Sequence, residues 1–148
     1  MQKIGCGSSG VVNEIRIPVR SDLDIINARQ IARTESLKLG FSTTDSTLIA
    51  TAISELARNI VMYAKEGEII LRPIHASGKL GIIIIARDHG PGIADLRQAL
   101  KDGYSTSRSL GLGLPGVQRI MDEFQIESQP GQGTVVTVKK WTPFLSQQ

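Results

Sequence analysis

Four consecutive isoleucines, Ile82 to Ile85, constrain the fold more than any other feature of this sequence. They belong to a β-rich run from Lys79 to Arg87, which Ser77-Gly78 separates from an earlier run, Glu68 to Ile74. The Ser-Gly pair predicts a tight turn between two antiparallel strands. A strand that is apolar at successive positions has both faces buried, so we expect the isoleucines at the centre of a sheet.

The flanking segments predict further strands and several helices. Alternating apolar residues predict strands at 11–19, 125–128 and 134–141, and Pro18 places the first strand near an edge. Apolar spacing and capping residues predict helices from Ser21 to Gly40, from Thr43 or Thr44 to Ala64, from 94 to 101, and from 114 to about 124. Because these elements do not alternate as βαβ units, we predict an α/β two-layer sandwich. Its sheet is mixed but mainly antiparallel, with helices on one face.

Length and composition favour a single domain. The chain has 148 residues, 41% of them apolar, which suits one core spanning residues 11–148 after a flexible Gly- and Ser-rich start, 1–10. The single cysteine, Cys6, excludes an internal disulfide. A net charge of +3 with 4% aromatic residues argues against nucleic acid as a partner. No apolar run is long enough for a bilayer and no signal peptide is visible, so we expect a cytoplasmic protein without membrane contact.

The first candidate site is a pair of polar residues on the second predicted helix. Glu55 and Asn59 are four residues apart, so they share one face of a helix that is otherwise strongly apolar. The amide oxygen of Asn59 suits an octahedral Mg²⁺ site beside phosphate oxygens, and Glu55 can accept a proton from an attacking hydroxyl. Taken alone, the pair is better explained as a solvated helix face, because both residue types are mostly exposed.

The second candidate is Asp88-His89-Gly90-Pro91-Gly92, which directly follows the predicted central strand. Ligands commonly bind where buried strands end. The two glycines let the main chain approach a flat ligand, and Asp88 can accept a hydrogen bond from an exocyclic amine such as adenine N6. A tight turn with an aspartate cap explains the same residues. His89 is interpreted as a turn residue rather than a catalytic one.

The third candidate is the glycine-rich segment 103–116, in which a polar stretch precedes Gly111, Gly113 and a helix. Main-chain N–H groups at these glycines, aligned with the positive end of the helix, can hold phosphates. The glycine spacing also spells a dinucleotide-binding fingerprint, with Glu127 near the position of its ribose-binding acid. We reject that alternative because the fingerprint needs an apolar strand before its first glycine, and the residues here are polar.

Together these elements follow the order Glu55-x-x-x-Asn59, Asp88-x-Gly90-x-Gly92, Gly111-x-Gly113 and Gly133-Thr134. That succession resembles the N box and glycine boxes of the GHKL family of ATPases and kinases, over about residues 11 to 141. The resemblance implies a Bergerat-type ATP-binding fold with ATP and Mg²⁺ as cofactors.

The resemblance also implies a role for each matching position. Asn59 would ligate magnesium, Glu55 would act as base, Asp88 would bind adenine, and Thr134 would lie beside the adenine. The glycines would shape the adenine pocket at Gly90 and Gly92, and line the phosphates at Gly111, Gly113 and Gly116.

Within the family, the segments 53–59 and 111–117 resemble the serine-protein kinases of bacterial partner-switching stress pathways. The resemblance implies transfer of the ATP γ-phosphate to a serine on a STAS-domain antagonist, followed by activation of a phosphatase, expected to be of the PP2C type. Histidine kinases add a helical phosphoacceptor region and a longer lid, and neither is visible in this chain, so we do not expect autophosphorylation at histidine.

Two alternatives stay open. The chain also resembles anti-sigma factors of the same family, whose main output is sequestration of a sigma factor while kinase activity serves as the switch. A scaffold that binds ATP without turnover is the third hypothesis, and the presence of Glu55 argues against it.

Overall fold

The computed structural model of the chain describes residues 14–93, 100 and 113–145. Several predicted features lie outside these ranges. They are the flexible start 1–10 with Cys6, nearly all of the helix predicted at 94–101, the polar stretch 103–109, and Gly111.

Five strands form one sheet in the spatial order β1-β2-β3-β5-β4. Their bounds are Ile15–Val19, Gly67–Ala76, Lys79–Asp88, Glu123–Gln129 and Gly133–Leu145, numbered β1 to β5 along the chain. All four neighbouring pairs are antiparallel. The four isoleucines lie in β3, the third strand in this spatial order, and Pro18 lies in β1, an edge strand. The predicted central position of the isoleucines and the predicted edge position of Pro18 are therefore confirmed.

Three α-helices accompany the sheet: α1 at Asp22–Lys38, α2 at Thr43–Asn59 and α3 at Gly113–Ile120. Serine hydroxyls cap the first two helices. Ser21 accepts from the N–H of Asp24, and Ser42, rather than the predicted threonines, accepts from that of Asp45. A π-helical turn, Ile60–Ala64, continues α2. In the described ranges, no helix is both long and apolar enough to cross a membrane.

One hydrophobic core lies between the inner face of the sheet and the helices. The strands contribute buried residues at alternating positions. The helices contribute the apolar stripe of α2 and parts of α1 and α3. The largest fully buried side chains of the core include Ile17, Ile69, Leu71, Ile82, Ile84, Val138, Ile49, Ile53, Leu56 and Val117. The predicted two-layer sandwich with helices on one face is therefore confirmed, with the correction that the described sheet is antiparallel throughout and not mixed.

The opposite face of the sheet carries a network of ion pairs. Glu68 lies between Arg87 and Arg16, and Glu14 lies between Arg16 and Arg72. The hydrogen bond from Arg87 is the main cause that lowers the pKa of Glu68 below its ordinary value. The network lies on the face opposite the helices, because these residues alternate with buried ones along β1, β2 and β3.

The boundary between the last helix and the last hairpin differs from the prediction. Helix α3 ends at Ile120, not near Phe124, and β4 begins at Glu123 rather than Gln125. Strand pairing explains the difference, since Phe124 lies opposite Val138 and the Lys140 ammonium donates to the terminal carbonyl oxygen of Ile120. Tertiary contacts therefore override a helical pattern that the isolated segment supports.

Candidate functional site

Glu55 lies on the inner side of α2 and is 5% exposed. Its Oε1 accepts a hydrogen bond from the backbone N–H of Gly113 at 3.0 Å. Its Oε2 accepts from Nη1 of Arg58 at 2.7 Å. The carboxylate therefore joins α2 to the start of α3, and both of its oxygens have a donor, as a buried charge requires. The alternative interpretation, that Glu55 belongs to a solvated helix face, is therefore wrong.

Asn59 is the last residue of α2 and is half-buried, one helical turn beyond Glu55. The backbone then widens into the π-helical turn, which ends at Lys65 with φ of 73°. Such turns are rare and occur frequently at functional sites. This turn brings Ala64 against Gly90, where an added Cβ would lie 2.5 Å from the Cβ of Ala64. The helix with the Glu and Asn pair therefore contacts the turn that follows β3.

Asp88 ends β3, and its Oδ1 accepts from the N–H of Gly90 at 2.9 Å. Gly92 has φ of 79°, and a Cβ there would overlap the carbonyl oxygen of Gln129. A side chain at Gly90 would thus collide with the π-helical turn, and a side chain at Gly92 would collide with the β4-β5 hairpin. Within the part of the chain that the structure describes, no donor bonds the other oxygen of Asp88, which is half-buried at the site.

Thr134 lies opposite Asp88 in the register of β3 and β5, so the two predicted adenine-binding residues are adjacent. The hydroxyl of Thr134 is 2.8 Å from that of Ser128 on β4. Ser128 Oγ also accepts from the N–H of Ile93 at 2.7 Å. Ser128 was not among the predicted site residues. Its pairing with Thr134 across the predicted hairpin is the signal that would have identified it.

Gly113 begins α3 with φ of 69°, and Gly116 lies one turn further inside the same buried segment. The Gly113 N–H was predicted to hold phosphate, and in this structure it holds the Glu55 carboxylate. A negative group at the start of a helix is favourable in either case, because the helix dipole is positive there. Phosphate binding by Gly111, Gly113 and Gly116 stays a prediction.

The rejected dinucleotide fingerprint finds no support in the topology. It requires the helix after its glycines to lead into a strand that pairs in parallel with the strand before them. Here α3 leads into β4, which pairs with β5 in antiparallel fashion and is separated by it from β3, and Glu127 lies on the exposed side of β4.

The residues present fit a magnesium nucleotide better than a metal bound by protein alone. Among the described residues, no group of three or more His, Cys, Asp or Glu side chains could hold an ion. Mg²⁺ in nucleotide sites takes one or two protein ligands and completes its octahedron with phosphate oxygens and water. One amide oxygen from Asn59 beside the Glu55 carboxylate matches that requirement.

Comparison with known families identifies the family of the chain. The family model of histidine kinase-, DNA gyrase B-, and HSP90-like ATPases matches residues 44–143. The chain belongs to this ATPase family. The match runs from α2 into β5 and so contains every predicted site residue, which supports ATP as the ligand of the site.

Curated relatives within the ATPase family are kinases and anti-sigma factors. The chain is 50% identical over 125 residues to serine/threonine-protein kinase RsbT of Bacillus subtilis, covering 84% of this chain and 94% of that protein. It is 35% identical over 99 residues to an anti-sigma F factor of Caldanaerobacter subterraneus, covering 63% of this chain and 68% of that protein. The chain is accordingly an enzyme, a protein kinase of this ATPase family.

Solved structures support the same fold. The RsbU and RsbW domains of a Mycobacterium tuberculosis protein align with a TM-score of 0.57 at 19% identity, over 91% of this chain and 34% of that chain. The histidine kinase AdeS of Acinetobacter baumannii aligns with a TM-score of 0.51 at 20% identity, over 90% of this chain and 70% of that chain. This chain thus spans about a third of the first structure, and both similarities concern the fold alone.

Proposed function

We propose that this kinase transfers the ATP γ-phosphate to a serine on a STAS-domain antagonist protein, in a cytoplasmic partner-switching pathway that responds to stress. After release from that partner, it would activate a phosphatase of the PP2C type. The observation that carries the proposal is the buried Glu55 carboxylate, which bonds the N–H of Gly113 at the glycine-rich start of α3.

Phosphoryl transfer asks a protein mainly to position the acceptor hydroxyl and to neutralise charge on the phosphates. Glu55 is suited to the remaining task, acceptance of the hydroxyl proton. An ionised carboxylate offers about four lone-pair sites. The bonds from Arg58 and Gly113 use two of them, one on each oxygen, so the carboxylate retains capacity for a substrate hydroxyl.

The nucleotide would lie between the turn after β3 and the first turn of α3. Asp88 and Thr134, which lie opposite each other in the sheet, would contact the adenine. Asn59 and Glu55, one turn apart on α2, would face the phosphates. Asn59 would hold Mg²⁺, which supplies charge neutralisation at the phosphates when it is bound.

Similarity to RsbT supports the serine-kinase proposal, since it extends over 94% of that protein. The second candidate function is that of an anti-sigma factor, which sequesters a sigma factor and uses phosphorylation to change partner. The 35% identity to an anti-sigma F factor favours this candidate, over a smaller share of both chains.

One experiment tests both candidates. The purified chain is incubated with γ-labelled ATP, Mg²⁺ and a STAS-domain protein, and label on serine is scored by phosphoamino-acid analysis. In parallel, sigma factor and STAS protein compete for the immobilised chain. We expect label on the STAS protein and no retention of sigma factor. Retention of sigma factor with nanomolar affinity would favour the anti-sigma function instead. Absence of label despite ATP binding would contradict kinase activity on STAS proteins.

A further inference from the structure

We infer that Arg58 is a positioning residue that orients the Glu55 carboxylate for proton transfer. The inference rests on the proposed role of Glu55 as base. It concerns a residue that has no role in the resemblance to the family, although it lies between Glu55 and Asn59 in the sequence.

The contact between the two side chains is short and protected. Arg58 Nη1 donates to Glu55 Oε2 at 2.7 Å, within the range of charge-assisted hydrogen bonds. The Glu55 side chain is 6% exposed and that of Arg58 is 36% exposed. The guanidinium thus reaches from the solvent side to a carboxylate that water hardly contacts, and little solvent competes for Oε2.

Two donors on different elements fix the plane of the carboxylate. The last torsion of a glutamate is broad, so a single hydrogen bond leaves the carboxylate free to rotate. Arg58 holds Oε2 from within α2, and Gly113 holds Oε1 from α3. Removal of Arg58 leaves one bond and restores the rotation. A carboxylate whose lone pairs point away from the acceptor hydroxyl accepts the hydroxyl proton slowly even when it stays ionised.

Three other arginines form ion pairs of a different character. Arg16, Arg72 and Arg87 pair with Glu14 and Glu68, whose side chains are 29% and 31% exposed, on the open face of the sheet. Pairs of that kind contribute little and are screened by salt. Arg72 is 39% exposed, close to the value for Arg58, and lies on β2 with its ion pair on the sheet face opposite the helices. It therefore provides a matched control.

The test measures transfer rate and ATP affinity separately in three variants. Arg58→Ala is expected to lower the single-turnover rate about ten- to a hundredfold, the size of effect that misplacement of a catalytic group causes. The dissociation constant for ATP should stay within about twofold of the wild-type value, because Arg58 acts on the base. Arg58→Lys, which keeps a donor and the charge, should recover part of the rate, and Arg72→Ala should leave both quantities unchanged.

A double-mutant cycle tests whether Arg58 acts through Glu55. In a Glu55→Gln background, Arg58→Ala should cause no further loss of rate, since there is no carboxylate left to orient. An undiminished loss in that background would overturn the inference, as would a wild-type rate in Arg58→Ala alone. A matching loss of ATP affinity would instead assign Arg58 to nucleotide binding and also overturn it.

The cycle contains four proteins: the wild type, Arg58→Ala, Glu55→Gln and the double variant. Their unfolding in urea gives a readout that needs no acceptor protein. Coupling between Glu55 and Arg58 should appear as non-additive shifts of the unfolding midpoint. Additive midpoints would overturn the inference whether or not transfer is observed. If the wild type transfers no phosphate while the coupling is present, the proposed function fails, but the inference that Arg58 orients the Glu55 carboxylate stands.

Discussion

Replacement of Gly90 by alanine tests whether the turn after β3 must touch the π-helical turn. The backbone at Gly90 lies outside the left-handed region, so contact alone opposes the new side chain. Its Cβ would be 2.5 Å from the Cβ and 2.7 Å from the Cα of Ala64, and ordinary contact begins near 3.4 Å. The turn and Ala64 must therefore separate by about 1 Å, at a cost of about 1–3 kcal/mol, as in other overpacked sites.

The displacement moves Asp88 and Gly90, which are predicted to shape the adenine pocket. If about 1.4 kcal/mol of the cost falls on the bound state, ATP affinity decreases tenfold. Isothermal titration calorimetry with ATP and Mg²⁺ measures this change, and urea unfolding measures the cost to the free protein. A second substitution, Ala64→Gly, should recover part of the affinity, because it removes the nearer of the two overlapping carbons.

Gly78→Ala serves as the control, since Gly78 has φ of 76° and open space around it. It should lower stability by about 1 kcal/mol through backbone strain and leave ATP affinity unchanged. Wild-type ATP affinity in Gly90→Ala, or equal affinity with and without Ala64→Gly, would refute the reasoning.

Three further substitutions give distinct results. Gly92→Ala should reduce ATP affinity more than Gly90→Ala and resist rescue by Ala64→Gly, because both a positive φ and the hairpin oppose it; calorimetry on the double variant decides. Ser128→Ala should lower the free energy of unfolding by about 1–3 kcal/mol, because it leaves a backbone N–H without its acceptor, and should weaken ATP binding. Glu68→Gln should cost at most about 1 kcal/mol near pH 7, since the side chain is partly exposed. Because the folded-state pKa of Glu68 is lowered, that stability is present above pH 4.5 and is lost as pH falls through the folded pKa, so urea unfolding of wild type and variant should converge in acid. A pH-independent difference would contradict this assignment.

The sheet and the first two helices could be predicted from local pattern. The isoleucine run indicated the central strand, because a run of β-branched apolar residues suits a strand with a neighbour on each side. The helix cap at Ser21 and the edge position of Pro18 could likewise be predicted from the chemistry of these two residues. The π-helical turn could not be predicted, because its apolar residues continue the helical spacing of α2.

Candidate site residues could be proposed from the sequence where motifs are contiguous, and not where residues meet through the fold. Glu55, Asn59 and Asp88 are candidates on the ground of spacing and of position after a buried strand, and their roles stay predictions. Ser128 was missed because its role depends on strand register, and Arg58 because its partner is defined by burial of Glu55. The end of α3 was misplaced for a related reason, as pairing with β5 determines where β4 begins.

The most direct test of the central claim is a single-turnover measurement with wild type and Glu55→Gln on one STAS-domain acceptor, with ATP affinity determined on the same preparations. If Glu55 is the base, the variant should transfer phosphate about 10²- to 10⁴-fold more slowly and bind ATP with an affinity within a few-fold of wild type. A variant that transfers phosphate at the wild-type rate, or whose loss of rate is matched by its loss of ATP affinity, would contradict the claim.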